Sequence, residues 1–296
     1  LDAAADIELV QDKGPFLLVD GHRGFGHIVA EQAMTLAIDR AQTHHFAMLS
    51  LRNSFHLGRL GDWGIMAAEA GFICILYANV QSVRPLVAPF GGSDARFVTN
   101  PYCTAIPATE KHPMFVLDMA TSTIAMGKAR VAQLSGKPAP EGALIDAQGN
   151  ATRDPSVVFD GAGGALTAFG QHKGFGLALL GDILGGSFSG GGAYAPEREV
   201  PDRIVNNMMA ILIDPNVFGL AQSFGVDVDS YTDWVKASPA APGTAGVQFP
   251  GDPERRSTAE RSAKGIPLDA GTLAQLSEAA RKAGVPASEH LCSTSD

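Results

Sequence analysis

Between Phe46 and Ala78 the chain passes through four kinds of sequence in turn, and this stretch constrains the fold more than any other. Phe46 to Leu51 is an apolar run of strand length. Asn53-Ser54-Phe55-His56-Leu57-Gly58-Arg59-Leu60-Gly61 is broken by glycine, as a loop is. Asp62 then opens an alanine-rich segment, Trp63 to Ala70, that reads as a helix stopped by Gly71. Phe72 to Ala78 is a second apolar run. Strand, loop, helix and strand in that order predict a βαβ unit in an α/β fold. His56 then falls beyond the carboxyl end of a strand, the rim where open α/β sheets bind ligands. An imidazole there suits proton transfer to an oxygen near neutral pH. A solvated loop histidine is the plain alternative, and a Ser54–His56 hydrolase a second. The latter lacks the Gly-x-Ser-x-Gly elbow.

The flanks extend the pattern. Ile7 to Val10 and Phe16 to Asp20 read as strands around a lysine-glycine-proline turn. Gly21-His22-Arg23-Gly24-Phe25-Gly26 reads as a turn, with a phosphate loop as the rival, before a helix from His27 to Thr43. His44 and His45 suit capping of that helix better than a metal. Asn79 to Gly92 is rich in proline and glycine and predicts a long shaped loop. Arg84 within it is either a fork for a carboxylate or a solvated arginine. Phe115 to Leu117 predicts a short strand, followed by the junction Asp118-Met119-Ala120-Thr121-Ser122. Thr121 or Ser122 would cap a helix to Leu134 whose N-terminus attracts anions. Ser135 to Asp160 reads as loop. Lys173 sits just before another predicted helix, where a cation opposes the helix dipole unless an anionic ligand offsets it. Five glycines between Gly185 and Gly192 predict a flexible loop. Met208 to Ile213 predicts a buried strand, and Val226 to Ala237 a helix with Tyr231, Trp234 and Val235 on one side. Phe249 to Glu254 reads as a loop before a charged helix to Lys264, and Asp269 to Ala283 as the last helix before a polar tail.

Composition limits the partners. The chain has 296 residues, 45% of them apolar, enough for a sizeable core. A formal charge of −9 argues against nucleic acid and anionic membranes as partners. No apolar run has the length of a membrane span, and Leu1 to Asp6 lacks the features of a signal peptide. Cys74, Cys103 and Cys292 lack metal-ligand spacing and point to reduced thiols in a cytoplasmic compartment, with Cys74 a core residue.

Six motifs in fixed order then carry a resemblance: Asn53-Ser54-Phe55-His56-Leu57-Gly58, Pro89-Phe90-Gly91-Gly92, Thr99-Asn100-Pro101, Leu117-Asp118-Met119-Ala120-Thr121-Ser122, His172-Lys173-Gly174-Phe175-Gly176 and Pro250-Gly251-Asp252-Pro253-Glu254. From Asp20 to Pro286 the chain resembles the malate/L-lactate/ureidoglycolate dehydrogenase family, the type-2 malate/lactate dehydrogenases that include sulfolactate dehydrogenase and diketogulonate reductase. Arg59, Asp62, Trp63 and the arginine before Pro85 resemble its hydroxycarboxylate branch. The resemblance implies a three-layer, non-Rossmann α/β fold with a mixed sheet between helical layers. It implies a homodimer that uses NAD or NADP to interconvert 2-hydroxy and 2-oxo acids, without a metal. By motif position, His56 would be the acid/base, and Asp118, Met119, Ala120, Thr121 and Ser122 would line the cofactor. Lys173 and Gly174 would hold its phosphates or ribose, and Gly251, Asp252 and Pro253 would close over its other side. Residues 1–296 would form one catalytic domain. Family members begin with roughly 60 more residues that carry a carboxylate clamp, and this sequence shows none of that segment. Arg84 or a partner chain would then bind the substrate carboxylate. The alternative is a cofactor-binding fragment, non-catalytic or part of a split enzyme.

Overall fold

The structure, a computed structural model, describes residues 5–81, 84–159, 161–195, 203–268 and 270–285. Ser82, Val83, Asp160, Cys292 and the tail from Pro286 onward lie outside the described residues. The chain divides into two compact units, Leu1–Pro250 and Gly251–Asp296.

The first unit is built on a seven-stranded sheet. Its strands are β1 (Glu8–Lys13), β2 (Phe16–Asp20), β3 (Phe46–Ser54), β4 (Ile73–Gln81), β5 (Tyr102–Ile106), β6 (Phe115–Met119) and a later strand, β10 (Val205–Ile213). They lie in the order β1-β2-β3-β10-β4-β5-β6. β2 and β3 are parallel and every other neighbouring pair is antiparallel, so the sheet is mixed. Helix α1 (Gly26–His44) joins β2 to β3, and α2 (Leu60–Glu69) joins β3 to β4. The βαβ reading therefore needs one correction. β3 and β4 do run in the same direction, but β10 is inserted between them and pairs antiparallel with both. Its nine residues are almost all buried, because neighbours cover both edges and packed layers cover both faces.

Packing explains why these segments adopt these elements. Val29, Ala30, Ala33, Met34, Ala37 and Ala41 recur at helical spacing and bury one face of α1 against Leu49, Leu51 and Leu212 of the sheet. α2 starts at Leu60, two residues before the expected Asp62, with Arg59 as its cap. On that helix, a Cβ at Gly64 would lie 2.9 Å from Cys103 Sγ. Cys74 and Cys103 are buried thiols, and burial pushes Cys103 up to about 12.

The opposite layer is α4 (His172–Leu180) continuing into a π-helical turn, Gly181–Ser187. Here the expectation of a flexible loop over Gly185 to Gly192 needs correcting at its start, since Gly185 to Ser187 belong to the π-helical turn and Phe188 to Gly191 are turn and bend. Cβ atoms at Gly185, Gly186 and Gly191 would come within 2.9, 2.4 and 1.9 Å of Asn79 or Asn207. The glycines permit close contact with the strands.

Smaller corrections follow from tertiary ties. The region read as loop from Ser135 holds β7 (Leu144–Ile145) and β8 (Ala151–Thr152), which join β9 (Ala165–Leu166) in a small second sheet. That sheet sits on its own core of Val87, Phe97, Leu144, Val158 and Leu166. Helix α3 spans Met126–Leu134, later than Thr121 or Ser122 would start it. Helix α5 spans Ala221–Lys236 and buries the polar Asp229 and Thr232, leaving Trp234 74% exposed. In the second unit, α6 (Asp252–Lys264) already starts at Asp252, and α7 spans Ala270–Lys282. Among the described residues no helix is long and apolar enough to cross a membrane.

Candidate active site

β3 ends at Ser54, and the loop to α2 carries His56 to an exposed position. The loop is fixed from several directions. Gly21 N and Arg23 N donate to the carbonyls of Arg52 and Asn53, and Phe55 N donates to Gly24 O. His22 N donates to Asp20 Oδ1. The amides of Gly21, His22, Arg23 and Gly24 are thus used inside the protein, as in a turn. From the α2 side, Trp63 Nε1 donates to the Leu57 carbonyl at 3.0 Å.

Asp20 anchors the base of this loop. Its carboxylate accepts from Arg52 Nε at 2.7 Å and from Asn53 Nδ2 at 3.0 Å. Burial would push the Asp20 carboxyl up, but the His22 amide, Arg52 and Asn53 together outweigh it and hold it below the ordinary carboxylate value.

The His56 ring has a defined polarity. Gly58 N donates to His56 Nδ1 at 3.1 Å, so the neutral ring carries its proton on Nε2. Partial desolvation of the ring by the surrounding loop, and then the nearby His27, hold its proton affinity below that of a free imidazole. His27 lies over Gly58, where a Cβ would meet its Nε2 at 2.2 Å, and its ring stacks on Phe25. The sequence reading used His27 only as the start of the helix after the Gly21–Gly26 run, because nothing local shows that the ring lies against the His56 loop.

The predicted junction lies close by. Arg59, just beyond the loop, pairs with Asp118 (Nε to Oδ2, 3.3 Å) and with Asp62 (2.9 Å). A Cβ at Gly61 would stand 2.7 Å from Asp118 Oδ2, so that glycine leaves room for the carboxylate. Asp118 and Met119 end β6, and Ala120 follows. Thr121 Oγ1 donates to the carbonyls of Thr99 and Asn100, and Ser122 Oγ donates to Ile124 O. Both hydroxyls are committed, and neither caps α3. Phe169 N donates to the Thr121 carbonyl, which brings the mouth of α4 beside this junction.

At that mouth Lys173 occupies the first turn and is exposed, with no ion pair among the described residues. The Lys173 and Gly174 amides donate to Gly170 O and Phe169 O. An anion here would be met by the ammonium group rather than by those amides. Gly174 is needed for a different reason, since a Cβ would lie 2.2 Å from Phe169 O.

Three predicted groups have partners of their own in the structure. Ser54 is fully buried and its hydroxyl donates to Phe55 O, which removes it as a nucleophile paired with His56. Arg84 Nη2 donates to Val158 O at 2.6 Å, beside the small sheet. Gly251, Asp252 and Pro253 open α6 in the second unit, where Gly251 has φ 97° and Asp252 pairs with Arg255. Among the described residues no group of three or more His, Cys, Asp or Glu could hold a metal.

Sequence reading also missed Asp182. It is buried behind the strand ends in the π turn, where Asn79 and Asn100 donate to its two oxygens at 3.3 and 2.8 Å. Burial pushes its carboxyl up, against the two amide donors. No local pattern marks it, because it stands in an apolar run between leucines and glycines.

Against this geometry, the family model described as malate/L-lactate dehydrogenase matches residues 1–277. The chain belongs to this family. Hydroxycarboxylate dehydrogenase B of Escherichia coli K12 is 42% identical over 279 residues, which span 94% of this chain and 76% of that protein. An L-lactate dehydrogenase of Cupriavidus necator is also 42% identical, over 86% of this chain and 72% of its own length. Among solved structures, sulfolactate dehydrogenase from Methanocaldococcus jannaschii superimposes with a TM-score of 0.80 at 31% identity, covering 95% of this chain and 79% of that one. The family member is an enzyme of the 2-hydroxyacid dehydrogenase type, and its fold is the family's mixed sheet between helical layers.

Proposed function

We propose that this enzyme transfers a hydride reversibly between a nicotinamide coenzyme, NAD or NADP, and C2 of a 2-hydroxy or 2-oxo carboxylic acid, with His56 as the acid/base. The observation that carries the reading is the His56 ring, polarised by Gly58 so that its Nε2 proton is the one available at the sheet rim. The exposed ammonium of Lys173 and the Asp118–Ser122 segment beside it fit an anionic, ribose-bearing coenzyme. When bound, the nicotinamide supplies or accepts the hydride. His56 donates its Nε2 hydrogen bond to the C2 oxygen, which stabilises charge as it grows there. The proton that turns this oxygen into a hydroxyl passes from Nε2 while solvent reprotonates the exposed ring, so that the imidazole is neutral before and after the step, and the reverse reaction runs the same relay backward. Arg84 is the proposed cation for the substrate carboxylate, anchored through Val158. A cytoplasmic homodimer is part of the same proposal.

Absorbance of the reduced nicotinamide, followed across a panel of 2-oxo acids with both coenzymes, tests the class directly. Turnover with at least one acid is expected, and none with either coenzyme overturns the reading. His56→Asn is expected to lower kcat by roughly 10²–10⁴-fold while coenzyme still binds by fluorescence. Full turnover in that variant removes His56 from the mechanism.

A further inference from the structure

Three asparagines behind the rim, Asn79 on β4 and Asn206 and Asn207 on β10, are almost wholly buried. Amides on central strands are costly there unless each donor and acceptor is paired. In this protein the pairing has a direction. The Asn53 amide donates to Asn207 Oδ1 at 2.9 Å, Asn207 Nδ2 donates to Asn79 Oδ1 at 2.8 Å, and Asn79 Nδ2 donates to Asp182 Oδ1 at 3.3 Å. Each amide receives on oxygen and gives from nitrogen, so all three bonds polarise in one sense, toward a carboxyl group. A second tie runs in parallel. The Leu57 amide donates to Asn206 Oδ1 at 2.9 Å, and Asn206 Nδ2 donates to the Asn79 carbonyl at 3.2 Å.

The two ties bracket His56, one three residues before it and one just after. They stand where the β3–β10 ladder slips: Asn206 faces Ser54, but Met208 faces Leu51. Asn53 takes φ 54° at this slip, a left-handed conformation that needs support. The glycine turn completes the arrangement, since Gly186 and Gly191 leave the volume that Asn79 and Asn207 occupy.

We propose that Asn206 and Asn207 are positioning residues for the reaction: they set the His56 loop against β10, and Asn207 locks it through Asn79 to the Asp182 carboxyl. The inference rests on the role given to His56 under Proposed function. The asparagines touch no reacting atom and act by aiming the imidazole.

The test uses the intact enzyme with its histidine side chains labelled by ¹⁵N, the His56 signals being identified by their loss in His56→Asn. The Nε2–H tautomer is expected at His56, together with amide exchange at Asn53 and Leu57 as slow as within β10. Asn207→Ala should lower kcat by about ten-fold or more, leave the KM for coenzyme nearly unchanged, and mix the two tautomers. Asn207→Ser, smaller but still polar, should show the same effects to a lesser degree and serves where the alanine variant does not fold. Unchanged kcat and tautomer in the variants overturn the proposal, as does rapid exchange of Asn53 and Leu57 in the unaltered protein. The tautomer and exchange measurements need no turnover. If no 2-oxo acid is reduced, the functional reading fails while these two arms still decide whether the asparagines order the loop.

Discussion

At the scale of single residues the site turns on which nitrogen of one imidazole holds a proton. Protonating His56 would place a new N–H at Nδ1, facing the Gly58 N–H that already donates there. The charged ring would have to leave its place, so activity should fail on the acid side as His56 protonates. Partial desolvation and then His27 favour the neutral ring, so that loss should fall below the ordinary imidazole value of 6.5. Removing His27 takes away a neighbour that opposes protonation. His27→Ala should therefore move the acidic limb of kcat/KM upward, toward 6.5, as read from a pH–rate profile. A limb that stays in place would show that His27 does not act on His56. His56 itself was legible in the chain, because a histidine and glycines after an apolar run mark a loop at a strand end. Asp182 and Asn207 were not, since a polar residue in or beside an apolar run carries no local sign of its partner more than a hundred positions away; Asn79, read as the start of a loop, instead lies inside β4.

Among elements, the π-helical turn shows how composition misleads. Five glycines in a short stretch look like slack, yet the turn packs on β4 and β10 so closely that side chains are excluded. At Gly186 a Cβ would lie 2.4 Å from Asn79 Nδ2 and 2.5 Å from the Gly192 carbonyl. Gly186→Ala should cost about 1–3 kcal/mol, measured as a fall in the denaturant midpoint at constant slope. Gly176, inside α4, should respond in the opposite sense, because a Cβ there would meet nothing within 4 Å. Gly176→Ala is expected to gain roughly 0.5–1 kcal/mol from helix propensity. If both substitutions destabilise equally, close packing is not what selects glycine in the turn. Thr121 and Ser122 illustrate the converse error. Hydroxyls at a strand end look like helix caps, but here they bond across to Thr99, Asn100 and Ile124, and the helix waits until Met126.

For the whole molecule, apolar periodicity located most strands of the large sheet and its first two helices, but not the order of the strands. Nothing in the run Met208 to Ile213 says that it enters between β3 and β4 rather than at an edge. The two tryptophans report on the packing that results. Trp63 is 7% exposed and tied to the loop at Leu57, whereas Trp234 stands out from α5. Trp234→Phe should leave a blue-shifted emission that iodide quenches poorly and that moves to the red only on global unfolding. Red, easily quenched emission from that variant would mean that α2 does not close over the loop as described.

The central place of β10 also bears on how such a chain is made. A polypeptide leaving the ribosome exposes β3 and β4 long before Val205–Ile213 emerges to fill the gap between them. Until then two bare strand edges face solvent and can pair with a neighbouring nascent chain. A copy cut short before residue 205 would therefore be an aggregation hazard and a chaperone client rather than a smaller enzyme.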